Sequence, residues 1–216
     1  MLHIEDGYFW HMTRDDSAGL SDPKAMRALA HPARLMILNR LGVVGSATAT
    51  EVAESAGITP SAASYHLRML AKYGFVEDAP PRGDGRERLW RSVDVMVKVG
   101  VLPEDQPEVR DAKVALIAAM RREANDEAQR ALSGIDKEPT EWRDATRFSR
   151  FRIRVDAEEL AQLNEAIDKL IEPYIARHRS EEAAPSGARV AEAQVNLFPV
   201  AKRVTPGLPT EDHDAR

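Results

Sequence analysis

The chain has 216 residues, 43% of them apolar and 30% charged, with a formal net charge of −5 and a mean hydropathy of −0.42. No apolar run approaches the roughly 20 residues of a membrane-spanning helix, and the acidic opening MLHIEDGYFWHMTRDD is unlike a signal peptide, so the expectation is a cytoplasmic protein with no membrane partner. The absence of cysteine excludes disulfides, thiolate metal ligands and thiol nucleophiles.

Charge is unevenly spread. Residues 1–20 carry one Arg against four acids, residues 21–100 carry 11 Lys/Arg against 8 acids, and residues 101–216 carry 18 against 23. Only the middle stretch is positive, which is where a nucleic-acid contact would be sought.

In chain order, residues 1–20 read as a flexible N-terminal arm, with Met12 an alternative start candidate. Ser21-Asp22-Pro23 is a helix start, a cap followed by Pro in the first turn. The helix MRALAH meets His31-Pro32, where the chain must bend or restart. PARLMILNRLG sets Leu35, Leu38 and Leu41 on one helical face. Thr48 or Thr50 caps TEVAESAG, whose Val52, Ala53 and Ala56 point inward and whose stop is Gly57. Thr59-Pro60 opens the next helix, which closes at Gly74. FVEDAPPRGDGRERLWRSV has strand-like flanks around Pro80, Pro81, Gly83, Asp84 and Gly85, and reads as a hairpin with a basic tip.

GVLPEDQP, 100–107, reads as a linker. Residues 108–133 predict a long amphipathic helix. SRFRIRV, 149–155, alternates strictly and predicts a strand. Asp156 and Glu159 form a capping-box start for a helix with Leu160, Leu163, Ile167, Leu170, Ile171 and Tyr174 on one stripe; Pro173 kinks or ends it. RVAEAQVNLFPV, 189–200, reads as a second strand. The segment 180–188 and residues 200–216 read as disordered.

The stretch TPSAASYHLRMLAKYGFVED, 59–78, is the most informative. At about 100° per residue, Ser61, Ser64, Tyr65, Arg68 and Lys72 share an arc of about 100°. Ala63, Leu67 and Leu70 fall on the opposite side, where a core belongs. A narrow polar ridge, short at its N-terminal end and cationic further along, suits the DNA major groove, which is about 12 Å wide and admits one helix. Arg68 can make a bidentate contact with a guanine edge and Lys72 can neutralise a phosphate. The preceding helix and the turn at Gly57-Ile58 complete a helix-turn-helix. The hairpin carries Arg82, Arg86 and Arg88, placed to reach a flanking groove or backbone. With Thr59 at the helix start, these nine residues are the predicted DNA-binding set. His66 lies beside the core face, and Trp90 is expected to pack under the hairpin.

AMRALAHPARLMILNRL, ATATEVAESAGITPSAASYHLRMLAKYGFVED and RGDGRERLW together resemble the winged helix-turn-helix of ArsR-type bacterial transcriptional regulators. Leu29, His31-Pro32, Arg34-Leu35 and Ile37-Leu38 carry the first part of the family pattern. Ser61, Ser64, His66-Leu67, Leu70 and Gly74-Phe75-Val76 carry the second. Gly85-Arg86 and Trp90 carry the wing, with Trp in place of the usual Tyr. The resemblance covers about residues 22–95. It implies a homodimeric, sequence-specific DNA-binding regulator, often a repressor, acting on an inverted-repeat operator. Metal-sensing members use Cys on the helix before the recognition helix or His/Asp on the C-terminal helix. Here the former reads TEVAESA and the latter has no His, so neither a metal site nor any other cofactor is expected; a small-molecule effector is left open.

The expected fold is mainly α with small β elements: a winged helix-turn-helix over 21–98, a dimerisation helix over 108–133 and a strand–helix–strand unit over 149–199. Val114, Ile117, Met120 and Ala124 are the candidate dimer contacts. Arg150, Arg152 and Arg154 share one face of the predicted strand, opposite Phe151, Ile153 and Val155, with solvent as the default neighbour. Asp212-His213-Asp214 stands in a polar tail and reads as incidental. The chain has no Gly-x-Ser-x-Gly elbow, phosphate-binding glycine loop or His-Glu-x-x-His motif, so no enzyme is expected. The rival function is a winged helix that docks a protein rather than DNA.

Overall fold

The computed structural model describes residues 22–83, 87–93, 99–176, 179 and 183–200. The expected arm over 1–20, the hairpin tip at Asp84, Gly85 and Arg86, and the tail from 201, with Asp212-His213-Asp214, lie outside the described residues.

Helix α1 spans Pro23–Leu29, with the Asp22 carboxylate accepting from the Lys24 N–H. Helix α2 spans Pro32–Val44 and is capped by His31, whose Nδ1 accepts from the Ala33 N–H at 3.2 Å. Strand β1, Ser46–Thr48, leads directly into α3, Ala49–Ala56. Of the two threonines offered by the sequence, Thr48 is the cap, and it forms a reciprocal capping box with Glu51. Helix α4 is Pro60–Lys72, and β2 (Val76–Ala79) and β3 (Leu89–Ser92) make the wing. Strand β3 is central, with β1 and β2 antiparallel on either side. Strand β1 was not foreseen; its three residues are ordered by pairing with Leu89, Trp90 and Arg91.

One core joins these elements. Met26, Leu29, Ile37, Leu41, Val52, Leu67, Leu70 and Phe75 are fully buried, with Trp90 beneath the wing as expected. Arg34 is the buried cation. Its guanidinium donates to the Ala28 carbonyl at the end of α1, which ties α1 to α2.

Helix α5, Pro107–Gly134, closes the core with Ala112, Leu116 and Ala119. The loop before it is pinned by a Lys113–Asp105 ion pair at 2.7 Å rather than running free. Short α6, Thr140–Ala145, and α7, Ala157–Ile171, follow. The Asp156/Glu159 capping box forms, and Pro173 stands in a 3-10 turn that ends α7.

The C-terminal unit departs from expectation. Residues 149–155 and 189–200 pair with no strand among the described residues, so the strand–helix–strand unit is a helix between two unpaired segments. The alternation of 149–155 is real, but a strand exists only where another edge satisfies its backbone groups, and none of the described residues stands beside it as such an edge.

Candidate nucleic-acid interface

The α3–α4 corner is built by three local devices. Gly57 adopts φ 63°, the left-handed conformation that ends a helix at little cost for glycine. The Ile58 N–H returns to the Ala53 carbonyl at 3.0 Å. The Thr59 Oγ1 then accepts from the Ala62 N–H at 3.2 Å and starts α4. Ala53 and Ala63 are both buried at the crossing, where small side chains let the helices approach.

Helix α4 buries Ala63, Leu67 and Leu70 and turns the other side outward. Ser61, Tyr65, Arg68 and Lys72 are exposed and Ser64 is half-buried. Tyr65, 50% exposed, meets the edge of the His66 ring at 5.4 Å, which props its ring at the surface. Arg68 makes no ion pair among the described residues, and Lys72 lies 5.5 Å from the centre of the Tyr73 ring. The ridge predicted from the sequence is thus assembled on one open face. Thr59 is at the surface, but its hydroxyl oxygen is engaged in the cap.

The wing is different. Arg82 donates to the Ser46 carbonyl and to Glu51 Oε1, the latter at 3.2 Å. Arg88 grips Asp78 with two bonds of 2.6 and 3.1 Å and stacks 4.0 Å over Trp90. The pairing holds the Asp78 carboxyl below its ordinary range. Asp78 stands opposite Trp90 in the ladder, which sets it beside Arg88. Arg91 in β3 pairs likewise with Glu77, at 2.6 Å. The three described wing arginines, Arg82, Arg88 and Arg91, are therefore held by carboxylates of the same chain; these partners come from β1, α3 and β2 and lie outside the local pattern of the sequence.

Behind the ridge, the His31 and His66 rings lie 4.8 Å apart between centres, tilted by 40° to each other. The His66 Nδ1 is buried with no hydrogen-bond partner among the described residues, and the charge of Arg34 acts on both rings. Burial lowers both imidazole pKa values. The charge of Arg34 adds to this for His31, and those of His31 and Arg34 for His66. The unfolded chain therefore binds protons more readily than the fold, so this contribution to stability is present above the unfolded value of about 6.5 and is lost as pH falls below it. A thermal melt series from pH 8 to 5 should show the midpoint falling through that window, and His66→Gln should flatten the fall relative to the unaltered protein.

A groove of about 440 Å³ lies between α2, α5, Ile175-Ala176 and residues 190–192, with Leu35, Leu38, Phe75 and Met120 on its apolar walls. Its polar side is Asn39, which donates to Glu123 at 3.1 Å, and Glu192. Burial raises both carboxyl pKa values; next in size is repulsion from Glu127 for Glu123 and from Glu123 for Glu192. The sequence carried no signal for this groove, because it joins residues about 150 positions apart. Among the described residues no group of three His, Cys, Asp or Glu is placed to hold a metal.

The candidate dimer residues lie along α5. Val114 is exposed, Ile117 and Ala124 are half-exposed, and Met120 packs partly against the core. The inward face is Ala112, Leu116 and Ala119, turned away from the face chosen by periodicity. No helix among the described residues is long and apolar enough to cross a membrane.

The fold is a winged helix-turn-helix. Residues 29–79 match the family model of a helix-turn-helix domain. No curated protein matches the chain. Among solved structures, the chain is similar to the YusO protein of Bacillus subtilis at 18% identity, covering 71% of this chain and 82% of that one, with a TM-score of 0.32. It is similar at 26% identity to the homodimeric winged helix-turn-helix DNA-binding domain of Mb0332 from Mycobacterium bovis, described as a possible ArsR-family transcriptional regulator; coverage is 50% and 87% and the TM-score 0.29. A MarR family transcriptional regulator from Silicibacter pomeroyi gives 16% identity, 73% and 80% coverage and a TM-score of 0.32.

Proposed function

We propose that the protein is a DNA-binding transcriptional regulator of the ArsR type, a cytoplasmic homodimer that represses by covering an inverted-repeat operator. The observation that carries this reading is the open ridge of Ser61, Tyr65, Arg68 and Lys72 on the second helix of a helix-turn-helix. Each copy lays α4 in a major groove, and two-fold symmetry sets the two helices about 34 Å apart, one turn of DNA. Ser61 and Ser64 meet phosphates or base edges at the N-terminal end of the ridge, Arg68 reads guanine and Lys72 neutralises phosphate. The outward Val114 and Ile117 on α5 are the first contact between copies.

The test is a mobility shift with DNA from upstream of the protein's own gene. Binding should saturate and weaken steeply with salt, because phosphate contacts release counterions. Arg68→Ala should cost about 1–3 kcal/mol and relax base preference at one position, as expected for a lost bidentate contact. Unchanged affinity and preference would remove α4 from the groove.

The self-paired wing arginines favour one rival, a winged helix that docks a protein. Absence of DNA binding at low salt, together with a stable protein complex, would select it.

A further inference from the structure

We propose that residues 149–171 form a second contact between the two copies, in which the strand-patterned segment of one copy covers the apolar stripe of α7 in the other. The inference rests on the homodimeric reading above and adds an interface to it; it does not depend on DNA binding.

Two apolar rows are largely exposed here, touched only at Phe151 and Tyr174 by the guanidinium groups of Arg147 and Arg179, 5.6 and 5.4 Å from the ring centres, among the described cation–ring contacts. In 149–155, Phe151, Ile153 and Val155 are 70%, 50% and 39% exposed. None of the backbone groups of 149–155 enters a backbone hydrogen bond with a described residue. Helix α7 is strongly one-sided, yet none of its residues is buried. Leu160, Leu163, Ile167 and Ile171 are half-exposed, and Leu170 and Tyr174 are 71% and 66% exposed. A helix with such a stripe is stabilised by whatever covers the stripe, since propensity alone gives little.

The two rows cannot cover each other within one chain. Only Asp156 separates them, and its backbone is extended, at φ −87° and ψ −175°. The segment therefore runs straight into the helix with no turn in which to fold back. A second copy has no such restriction. Seven strand residues span about 23 Å at ~3.3 Å each, and the 15 residues of α7 span about 22 Å at ~1.5 Å each. The rows match in length, and a two-fold axis makes each copy give one row and receive the other, which is the self-complementarity of an isologous interface.

Charge sets the orientation. Residues 147–155 carry four Arg and no acid, whereas 157–174 carry five acids and one Lys. Two such modules align with the basic half of each against the acidic half of the other. Direct pairing of the two 149–155 segments would instead set arginines opposite arginines. Arg150, Arg152 and Arg154 make no ion pair among the described residues. Size also fits. At ~200 Å² for a whole aromatic side chain, Phe151 and Tyr174 alone expose roughly 270 Å². Ile153, Val155, Leu170 and the other aliphatic residues of the two rows carry this past the few hundred Å² of apolar patch usual on a monomer and toward the ~800 Å² per partner of a standard interface.

Sedimentation equilibrium of the full chain without DNA tests this. The unaltered protein should give a mass of twice 24.0 kDa. Phe151→Asp with Ile153→Asp should raise the dimer dissociation constant by about 100-fold, because two large apolar side chains lose their cover. A monomeric unaltered chain overturns the inference and the homodimeric reading with it. A dimer that survives F151D/I153D but is lost in Val114→Asp leaves contact through α5 and overturns only the inference. If F151D/I153D fails to fold, Ile153→Cys with Leu163→Cys decides. The chain has no other cysteine, and the two positions are too far apart along one copy to meet. A short bismaleimide should give a covalent dimer; formation of monomer only contradicts the inference.

Discussion

Replacing Phe75 by Ala should lower unfolding stability by about 3–5 kcal/mol, the usual cost of emptying a buried aromatic site. Phe75 is 1% exposed and stands where the chain leaves α4 for the wing. Gly74, at φ 76°, makes the turn. The Phe75 N–H closes on the Leu70 carbonyl and its carbonyl accepts from the Val93 N–H, both at 3.0 Å. The ring also walls the groove between α2 and α5, so its removal joins a new void to an existing one and leaves little to collapse into it. Domains of this kind hold about 5–15 kcal/mol in all, so the loss is a large share. Urea unfolding should show a lower midpoint with an unchanged slope, the sign of lost stability without a changed unfolded state. A midpoint within error of the unaltered protein would mean that Phe75 does not link α4 to the sheet.

Replacing Ser64 by Glu should lower operator affinity by about 100-fold, ~3 kcal/mol, because it sets a carboxylate against the phosphate backbone. The fold should not register the change. Ser64 is the fifth residue of α4 and half-buried, on the side of the helix away from Leu67 and Leu70, so the longer carboxylate can reach water without entering the core. Melting temperature and affinity therefore separate: the first holds and the second falls. Glu at Glu54, on the far side of the corner, is native, and Glu54→Gln should leave binding near its starting value. Equal binding by the Ser64→Glu protein would place the ridge away from the DNA.

The winged helix-turn-helix was legible because its signals are local. Caps at Asp22, Thr48 and Thr59, the stops at Gly57 and Gly74, and a 3.6-residue period in α4 each act within about one turn. The elements that escaped are long-range. Strand β1 has three residues and no alternation of its own. The sequence shows a basic hairpin tip but not the partners of Arg82 and Arg88, because Asp78, Ser46 and Glu51 reach them only after the sheet has formed. Helix α5 carries apolar residues on two faces, and periodicity could not say that α1 and α2 take the one bearing Leu116. Residues 149–155 show the converse: their pattern was readable, but a pattern does not supply the neighbouring edge that makes a strand.

A regulator of this kind reads its operator by placing α4 in the major groove, and methylation protection of operator guanines tests that most directly. Guanine N7 lies in the major groove, so the bound protein should shield N7 in two tracts one helical turn apart, and Arg68→Ala should reopen one guanine in each. Guanines methylated as freely in the complex as in bare DNA would contradict the account.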